Sequence, residues 1–172
     1  MKKWITGAGL LFLLTLSLSS FAQQTYEVPV NYTLVAADDY PKYEADVIKT
    51  VDWLQQNPWT ANEAKAKQAN TFLIAWLTGT KAVTLNIDKP LIDLTDKNPP
   101  LLVIFMGQFA KYTLEHKDNT DPRAANEAAL KAMAEKYEQE PSRQKNSKME
   151  EMIKANKNGK LNSWMKENFY KS

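Results

Sequence analysis

The chain has 172 residues, with 22 basic and 20 acidic side chains, one histidine, five glycines and no cysteine. The absence of cysteine excludes disulfides, thiolate catalysis, iron–sulfur clusters and cysteine-based zinc sites, and a single histidine excludes a site built on paired histidines. The glycines are too scattered to form a phosphate-binding loop. We therefore expect neither a cofactor nor a metal site.

The first residues are typical of an export signal rather than of a folded element. Lys2 and Lys3 supply positive charge, residues 10–18 are mostly apolar, and Ser20-Phe21-Ala22 has the small-x-small pattern of a cleavage site. Together they predict a secretory signal peptide over residues 1–22. The apolar stretch is shorter than the roughly 20 residues of a membrane-spanning helix, which favours cleavage over an uncleaved anchor.

Without that segment the chain begins at Gln23 and has 150 residues, with 20 basic and 20 acidic groups. This length predicts one domain over residues 23–172, soluble and periplasmic or extracellular, because no later segment is apolar enough to cross a bilayer. A net charge near zero argues against nucleic-acid binding.

The charge is unevenly distributed along the chain. Residues 142–172 carry 8 basic and 3 acidic groups, whereas residues 23–141 carry 12 basic and 17 acidic groups. The basic C-terminal segment, residues 142–172, could contact anionic lipid or a partner protein. It could equally be a solvated helical face, or a tail docked on the acidic remainder, and charge runs are more often of this kind.

Apolar residues recur mainly at helical spacing. We predict helices over about 41–56, 61–78, 99–116 and 122–139, then a C-terminal pair near 147–158 and 161–169. Residues 101–106 are apolar on every side, which predicts a central position for the third helix. A tight connection at 117–121 predicts that the third and fourth helices form an antiparallel hairpin. The expected fold is mainly α, with five to six helices in antiparallel hairpins, as a bundle or a short solenoid-like stack.

Some local patterns allow finer predictions. Residues 26–35 and 81–88 alternate apolar and polar side chains, which indicates at most a minor two-stranded element; irregular extended segments fit equally well. Thr60 and Ser147 each begin a capping-box pattern and are expected to be N-caps. Gly79 is expected to end the second helix in the left-handed conformation.

Four aromatic side chains form the candidate ligand site. They come from the first two predicted helices and their connection, and they are Trp53, Trp59, Phe72 and Trp76. Such a set can line a pocket for a sugar, a lipid or a peptide. The alternative is that they fill the core, as aromatic residues at helical spacing usually do.

The sequence indicates no catalytic residue. His116 could be a metal ligand or a general base, but a histidine at a helix C-terminus is explained by the helix dipole. A carboxylate pair could hydrolyse glycans, yet the acids, such as Asp38-Asp39 and Glu150-Glu151, lie at helix starts and on polar faces. The sequence thus favours a noncatalytic binding or structural module of the cell envelope, with an envelope protein, glycan or lipid as its partner. A glycan- or cell-wall-acting hydrolase is the alternative.

Several segments resemble a family of short exported proteins from Bacteroidota. The similarity extends over the mature region and is best at four motifs: Trp76-Leu77-Thr78-Gly79, Asn98-Pro99, Phe105-Met106-Gly107 and Ala110-Lys111-Tyr112. The resemblance implies export and a helical fold, and it carries over no functional residues. The chain departs from the family near Ala129, where a glycine is expected.

Overall fold

The computed structural model describes residues 26–119 and 121–170, so the predicted signal peptide lies outside the described residues. Seven α-helices follow one another in this part of the chain: α1 (Glu44–Gln56), α2 (Glu63–Gly79), α3 (Lys89–Thr95), α4 (Pro100–Glu115), α5 (Pro122–Gln139), α6 (Ser147–Lys157) and α7 (Leu161–Trp164). The described residues form no β-strand, and both stretches with alternating residues are irregular and extended. The mainly α prediction is confirmed.

The predicted number of five to six helices was too low because α3 was missed. This helix has only seven residues, which is too short to show a helical period in the sequence. Pro90 lies in its first turn, where the missing N–H of proline costs nothing. Leu91 and Leu94 are buried, so packing stabilises a helix that would be marginal alone.

Helix α4 lies at the centre of the fold, as its apolar run predicts. It packs against α1, α2, α3 and α5, and its residues Leu101 and Phe105 have no exposed surface. Gly107 lets the neighbouring helices approach closely. A Cβ there would lie 2.9 Å from a methyl of Val51 on α1 and 3.1 Å from a methyl of Leu73 on α2.

Helices α4 and α5 form the most extensive helix pair among the described residues. Residues 116–121 join them, and so short a connection requires the two helices to run antiparallel. Ala125 and Ala129 of α5 are fully buried, which is consistent with close packing of the two backbones.

The N-caps of α2 and α6 differ from the predicted ones. Helix α2 begins at Glu63, so Thr60 lies too early, and the Asn62 side chain instead accepts a hydrogen bond from the Lys65 backbone at 3.0 Å. Ser147 is the first residue inside α6, and Asn146 before it caps that helix with a 3.0 Å bond. In each case the capping residue directly precedes the helix, where its short side chain reaches the free backbone N–H groups.

Gly79 also differs from its prediction. It remains helical as the last residue of α2, and among the described glycines a positive φ is found at Gly159, after α6. A Cβ on Gly79 would lie 1.8 Å from the hydroxyl of Tyr40. Gly79 is therefore required for the close approach of the Tyr40 ring rather than for its backbone freedom.

The basic C-terminal segment is in part docked on the acidic remainder of the chain. Helix α6 packs against α3 and α5. Lys148 forms an ion pair with Asp93 of α3, and Lys157 forms one with Glu138 of α5. Among the described residues, none of the helices combines the length and apolar character that a bilayer crossing requires.

Candidate functional site

A cavity of about 90 Å³ lies where the α1–α2 connection meets α2 and the start of α4. The wall is formed by apolar and amide side chains, among them Trp53, Asn57, Pro58, Trp59, Asn70 and Ile104. None of the described side chains that line it is ionisable. A charged group would lose its hydration here without compensation, so the cavity suits an uncharged group.

An open groove of about 620 Å³ continues from this cavity along the exposed side of α2. Trp59, Ala66 and Asn70 line both spaces, so the cavity and the groove form one continuous surface, which we call the Trp59 site. The groove is further lined by Glu63, Lys67, Thr71, Ile74 and Ala75. With one acid and one base, the groove has no strong charge preference.

Trp59 carries an unusual polar atom. Within the described residues, its Nε1 is the only buried side-chain nitrogen or oxygen without a hydrogen-bond partner. A buried indole N–H normally donates a hydrogen bond, and leaving such a group unsatisfied costs about 1–3 kcal/mol. This N–H has no acceptor among the described residues, and it has almost no accessible surface.

Two buried charged residues, Lys136 of α5 and Glu140 directly after α5, hold the connection that carries Trp59. The Lys136 ammonium donates to the backbone carbonyls of Gln55, at 3.4 Å, and Asn57. Glu140 accepts a hydrogen bond from the Trp59 backbone N–H at 3.1 Å. Burial lowers the pKa of Lys136, and the nearby Glu140 carboxylate partly opposes this shift. The position of Trp59 is thus fixed by a polar network rather than by loop packing alone.

Trp53 contributes only part of its surface to the cavity. Its ring lies 5.6 Å from the Tyr26 ring, measured between centroids, and the Lys65 ammonium lies 5.3 Å from the Trp53 ring centroid. Lys65 also lies 5.1 Å from the centroid of Tyr26, within the range of a cation–π contact. Tyr26 of the N-terminal extended segment and Lys65 of α2 thereby cover part of the Trp53 ring.

Phe72 and Trp76 lie in the core and have no exposed surface. The Trp76 indole donates to the Tyr40 carbonyl at 2.9 Å, and the Phe72 ring packs edge-on against Tyr32 at 5.1 Å. Of the four predicted ligand residues, the structure brings only Trp53 and Trp59 to a cavity. The prediction of a ligand-binding role is retained for these two.

Sequence reasoning missed the amides of the Trp59 site. Two amide side chains line the cavity, Asn57 and Asn70. Asn57 donates to the Trp53 carbonyl at 2.8 Å, whereas the Asn70 side chain forms no hydrogen bond with another described residue. A single asparagine on a helix gives no signal of this role, because polar residues on helix surfaces are common.

His116 has a structural explanation at the end of α4. Its ring stacks on Tyr112 with centroids 4.0 Å apart, and its Nδ1 lies 2.8 Å from the Tyr112 carbonyl oxygen. No group of three or more acidic or imidazole side chains in the described part of the chain could hold a metal ion.

A second cleft, of about 290 Å³, contains the acids Asp93 and Glu151 beside Trp164. Hydrogen bonds from Lys148 and Lys89 lower the pKa of Asp93. Glu151 accepts a hydrogen bond from the Trp164 indole at 3.3 Å. A glycosidase acid needs a raised pKa, so Asp93 has the wrong shift for that role.

Comparison with known proteins identifies no relative: no family model, no curated protein and no solved structure matches this chain. The similarity to short exported Bacteroidota proteins stays a prediction, and the function has to be inferred from the Trp59 site itself.

Proposed function

We propose that this chain is a noncatalytic binding protein of the cell envelope and that its ligand occupies the Trp59 site. The observation that supports this most is the cavity with an uncharged wall beside Trp59, which is continuous with the groove along α2. An uncharged group that fills the cavity removes its apolar wall from water, which is favourable.

The network around Trp59 supports the same proposal. A buried ion pair adds little stability compared with apolar side chains of similar volume. Lys136 and Glu140 nevertheless bind the backbone on both sides of Pro58. Such a connection is preorganised, so binding loses little entropy in ordering it.

The predicted signal peptide supports a location in the cell envelope. The charged start, the apolar stretch and the small-x-small site over residues 1–22 are the features of a secretory signal peptide. The absence of cysteine is compatible with an oxidising compartment, because no thiol is exposed to oxidation there.

Native mass spectrometry tests the binding function. The full chain is expressed in a bacterial host that secretes it, and it is purified from the native fraction without denaturant. We expect an added mass that disappears on denaturation. In the Trp59→Ala variant the added mass should be reduced or lost, because the aromatic side chain that lines both the cavity and the groove is removed.

Trp164→Ala is the matched control, since it removes another partly exposed tryptophan, which lies outside the Trp59 site. It should retain the added mass. A bare mass for the wild-type chain, or equal loss in both variants, would contradict the proposal. Incubation with cell-wall and glycan substrates under the same conditions should give no product; turnover abolished by one carboxylate substitution would establish the hydrolase alternative instead.

A further inference from the structure

The N-terminal extended segment, residues 26–35, is held to the rest of the fold by side chains. Within the described part of the chain, no hydrogen bond between two backbone groups joins it to another element. Instead, the Tyr43 hydroxyl accepts a hydrogen bond from the Thr33 backbone N–H at 3.2 Å. The Tyr40 hydroxyl donates one to the Leu34 carbonyl, also at 3.2 Å. The segment can therefore leave its place without disrupting a helix or a sheet.

The first part of this segment packs on α1 and α2. The Tyr26 ring lies 5.6 Å from the Trp53 ring, measured between centroids, and its hydroxyl oxygen lies 2.9 Å from that of Thr50. The Lys65 ammonium donates to the Tyr26 carbonyl, and the Val28 side chain is buried in the core. We call the surface formed by Thr50, Trp53 and Lys65 the Tyr26 surface. It binds side chains and one carbonyl, so the same segment of a second molecule can occupy it with the same contacts.

Asn31 separates these contacts from those nearer α1. Its φ is 57°, and no other non-glycine residue among those described has a positive φ. The left-handed conformation is unfavourable for a residue with a Cβ, although asparagine tolerates it better than most. Returning Asn31 to the extended conformation removes this cost and turns residues 26–30 away from their own α1 and α2. Asn31 therefore has the properties of a hinge.

The two most exposed large apolar side chains of the described residues lie beside this hinge. Val30 is 70% exposed and Val35 is 88% exposed. An extended segment whose backbone groups lack partners readily pairs with another chain. When two copies exchange residues 26–30, their segments cross to opposite molecules and run antiparallel, which brings the valines of both copies into one interface. The monomer leaves this apolar surface in water, and the exchanged dimer buries it.

We propose that two copies of this chain exchange residues 26–30, so that Tyr26 of each copy binds the Tyr26 surface of the other. The contacts of Tyr26 and Val28 are the same in the monomer and in the dimer, so the balance between the two depends on Asn31 and on the exposed valines. The closed monomer has the advantage of an intramolecular contact, and the dimer fraction therefore rises with concentration. This inference goes beyond the proposed function and does not depend on a ligand at Trp59.

Substitution of the hinge tests this proposal. The full chain, secreted and processed by its host, is measured by native mass spectrometry and by size-exclusion chromatography with light scattering over a range of concentrations. We expect a wild-type dimer whose fraction rises with concentration. Asn31→Val should lower the dimer dissociation constant at least about tenfold, because a β-branched residue strongly disfavours a positive φ. Asn31→Gly should raise it, because glycine adopts a positive φ without steric cost.

Thr33→Val is the matched control, because it introduces the same side chain two residues away, at a position whose φ is not positive. It should leave the dissociation constant close to the wild-type value. A monomer mass for both wild type and Asn31→Val at every concentration would overturn the proposal. A change of the same sign in Asn31→Val and Asn31→Gly would also overturn it, because the hinge would then not set the equilibrium.

A mixing experiment distinguishes an exchange from a side-by-side dimer. Tyr26→Ala removes the side chain that is exchanged, and Trp53→Ala damages the surface that receives it. Each substitution, made in the Asn31→Val chain, should give a monomer. Mixed together, the two chains should form a heterodimer, since Tyr26 of one meets the intact surface of the other. Lys65→Ala, on the same surface, replaces Trp53→Ala if circular dichroism shows that the latter has unfolded. A dimer that survives Tyr26→Ala, or a mixture without heterodimer, would overturn the exchange.

The same mass spectra separate this proposal from the binding function. Exchange adds the mass of a whole chain and depends on Tyr26, whereas a ligand adds a different mass that depends on Trp59. A monomer that carries a Trp59-dependent mass would overturn the exchange and leave the binding function in place. A dimer that carries no such mass would support the exchange and contradict the binding function.

Discussion

Lys136, in the last turn of α5, and Glu140, the residue that caps its C-terminus, both bind the backbone of the α1–α2 connection more closely than they bind each other. The ammonium nitrogen and the nearer carboxylate oxygen are 3.9 Å apart, and the two side chains are 3% and 1% exposed. The same carboxylate oxygen lies 3.1 Å from the Trp59 backbone nitrogen. The pair therefore positions the connection on which the Trp59 site depends.

Lys136→Met should lower the free energy of unfolding by about 3–5 kcal/mol, because it leaves the Glu140 charge buried without its partner. The carbonyls of Gln55 and Asn57 also lose their donor. Lys131→Met is the control, since Lys131 lies on the same helix, is exposed and pairs with a residue one turn away. It should change stability by no more than about 0.5 kcal/mol in urea denaturation. Similar losses in the two variants would contradict the positioning role.

Asn146 is predicted to stabilise the protein more than its neighbour Ser147. The buried Asn146 amide donates to the Asp93 carbonyl at 3.0 Å and to the Asp96 carboxylate at 2.8 Å, while its oxygen caps α6. Asn146→Ala should cost about 2–4 kcal/mol, from the lost cap and from buried groups left unsatisfied. Ser147→Ala should stay within about 0.5 kcal/mol in the same thermal and urea measurements. A larger loss of stability in Ser147→Ala than in Asn146→Ala would support Ser147 as the N-cap, as the sequence pattern predicts.

The longer helices were predictable because their apolar residues recur clearly at helical spacing and because residues that start or stop a helix mark their ends. The fourth predicted helix, 122–139, agrees with the structure at both ends, since Asp121 and Pro122 mark its start and Pro141 follows its end. The caps were less predictable. Thr60 and Ser147 satisfied the capping pattern, but a cap acts only from the position directly before the helix, and that position depends on tertiary packing.

The candidate site was predictable only in part. Aromatic residues at helical spacing indicate either a pocket or a core, and the sequence has no feature that separates Trp59 from Trp76. The difference lies in their partners: the Trp76 indole donates to the Tyr40 carbonyl, from a segment 36 residues away in the chain, and the Trp59 indole has no acceptor in the part of the chain that the structure describes. Such long-range pairing depends on how α2 packs against the preceding segment, which periodicity does not specify.

Asp39 should make stability depend on pH in the acid range. Hydrogen bonds from the Ala36 backbone, the Lys42 side chain and the Val35 backbone lower the pKa of Asp39 from 3.8 to about 2. The folded state therefore binds fewer protons than the unfolded state, and its contribution is present above about pH 4 and lost as the pH falls through 2. Asp39→Asn should unfold at a lower temperature than wild type at pH 6, and the difference should shrink toward pH 2. Asp38→Asn, which removes a neighbouring exposed carboxylate but none of these hydrogen bonds, is the control and should unfold near the wild-type temperature at pH 6.

Gly79→Ala tests whether the glycine serves the Tyr40 ring or the helix end. The new Cβ would lie 1.8 Å from the Tyr40 hydroxyl, so we expect a loss of about 1–3 kcal/mol from overpacking. In a Tyr40→Leu background the clash is absent, and the same substitution should stabilise α2 by up to about 1 kcal/mol, since alanine is the better helix former. The Trp76 hydrogen bond uses the Tyr40 backbone carbonyl and survives that background change. Urea denaturation of the wild type and the three variants measures the sign in each background, and the same sign in both would show that the Tyr40 ring does not set the requirement for glycine.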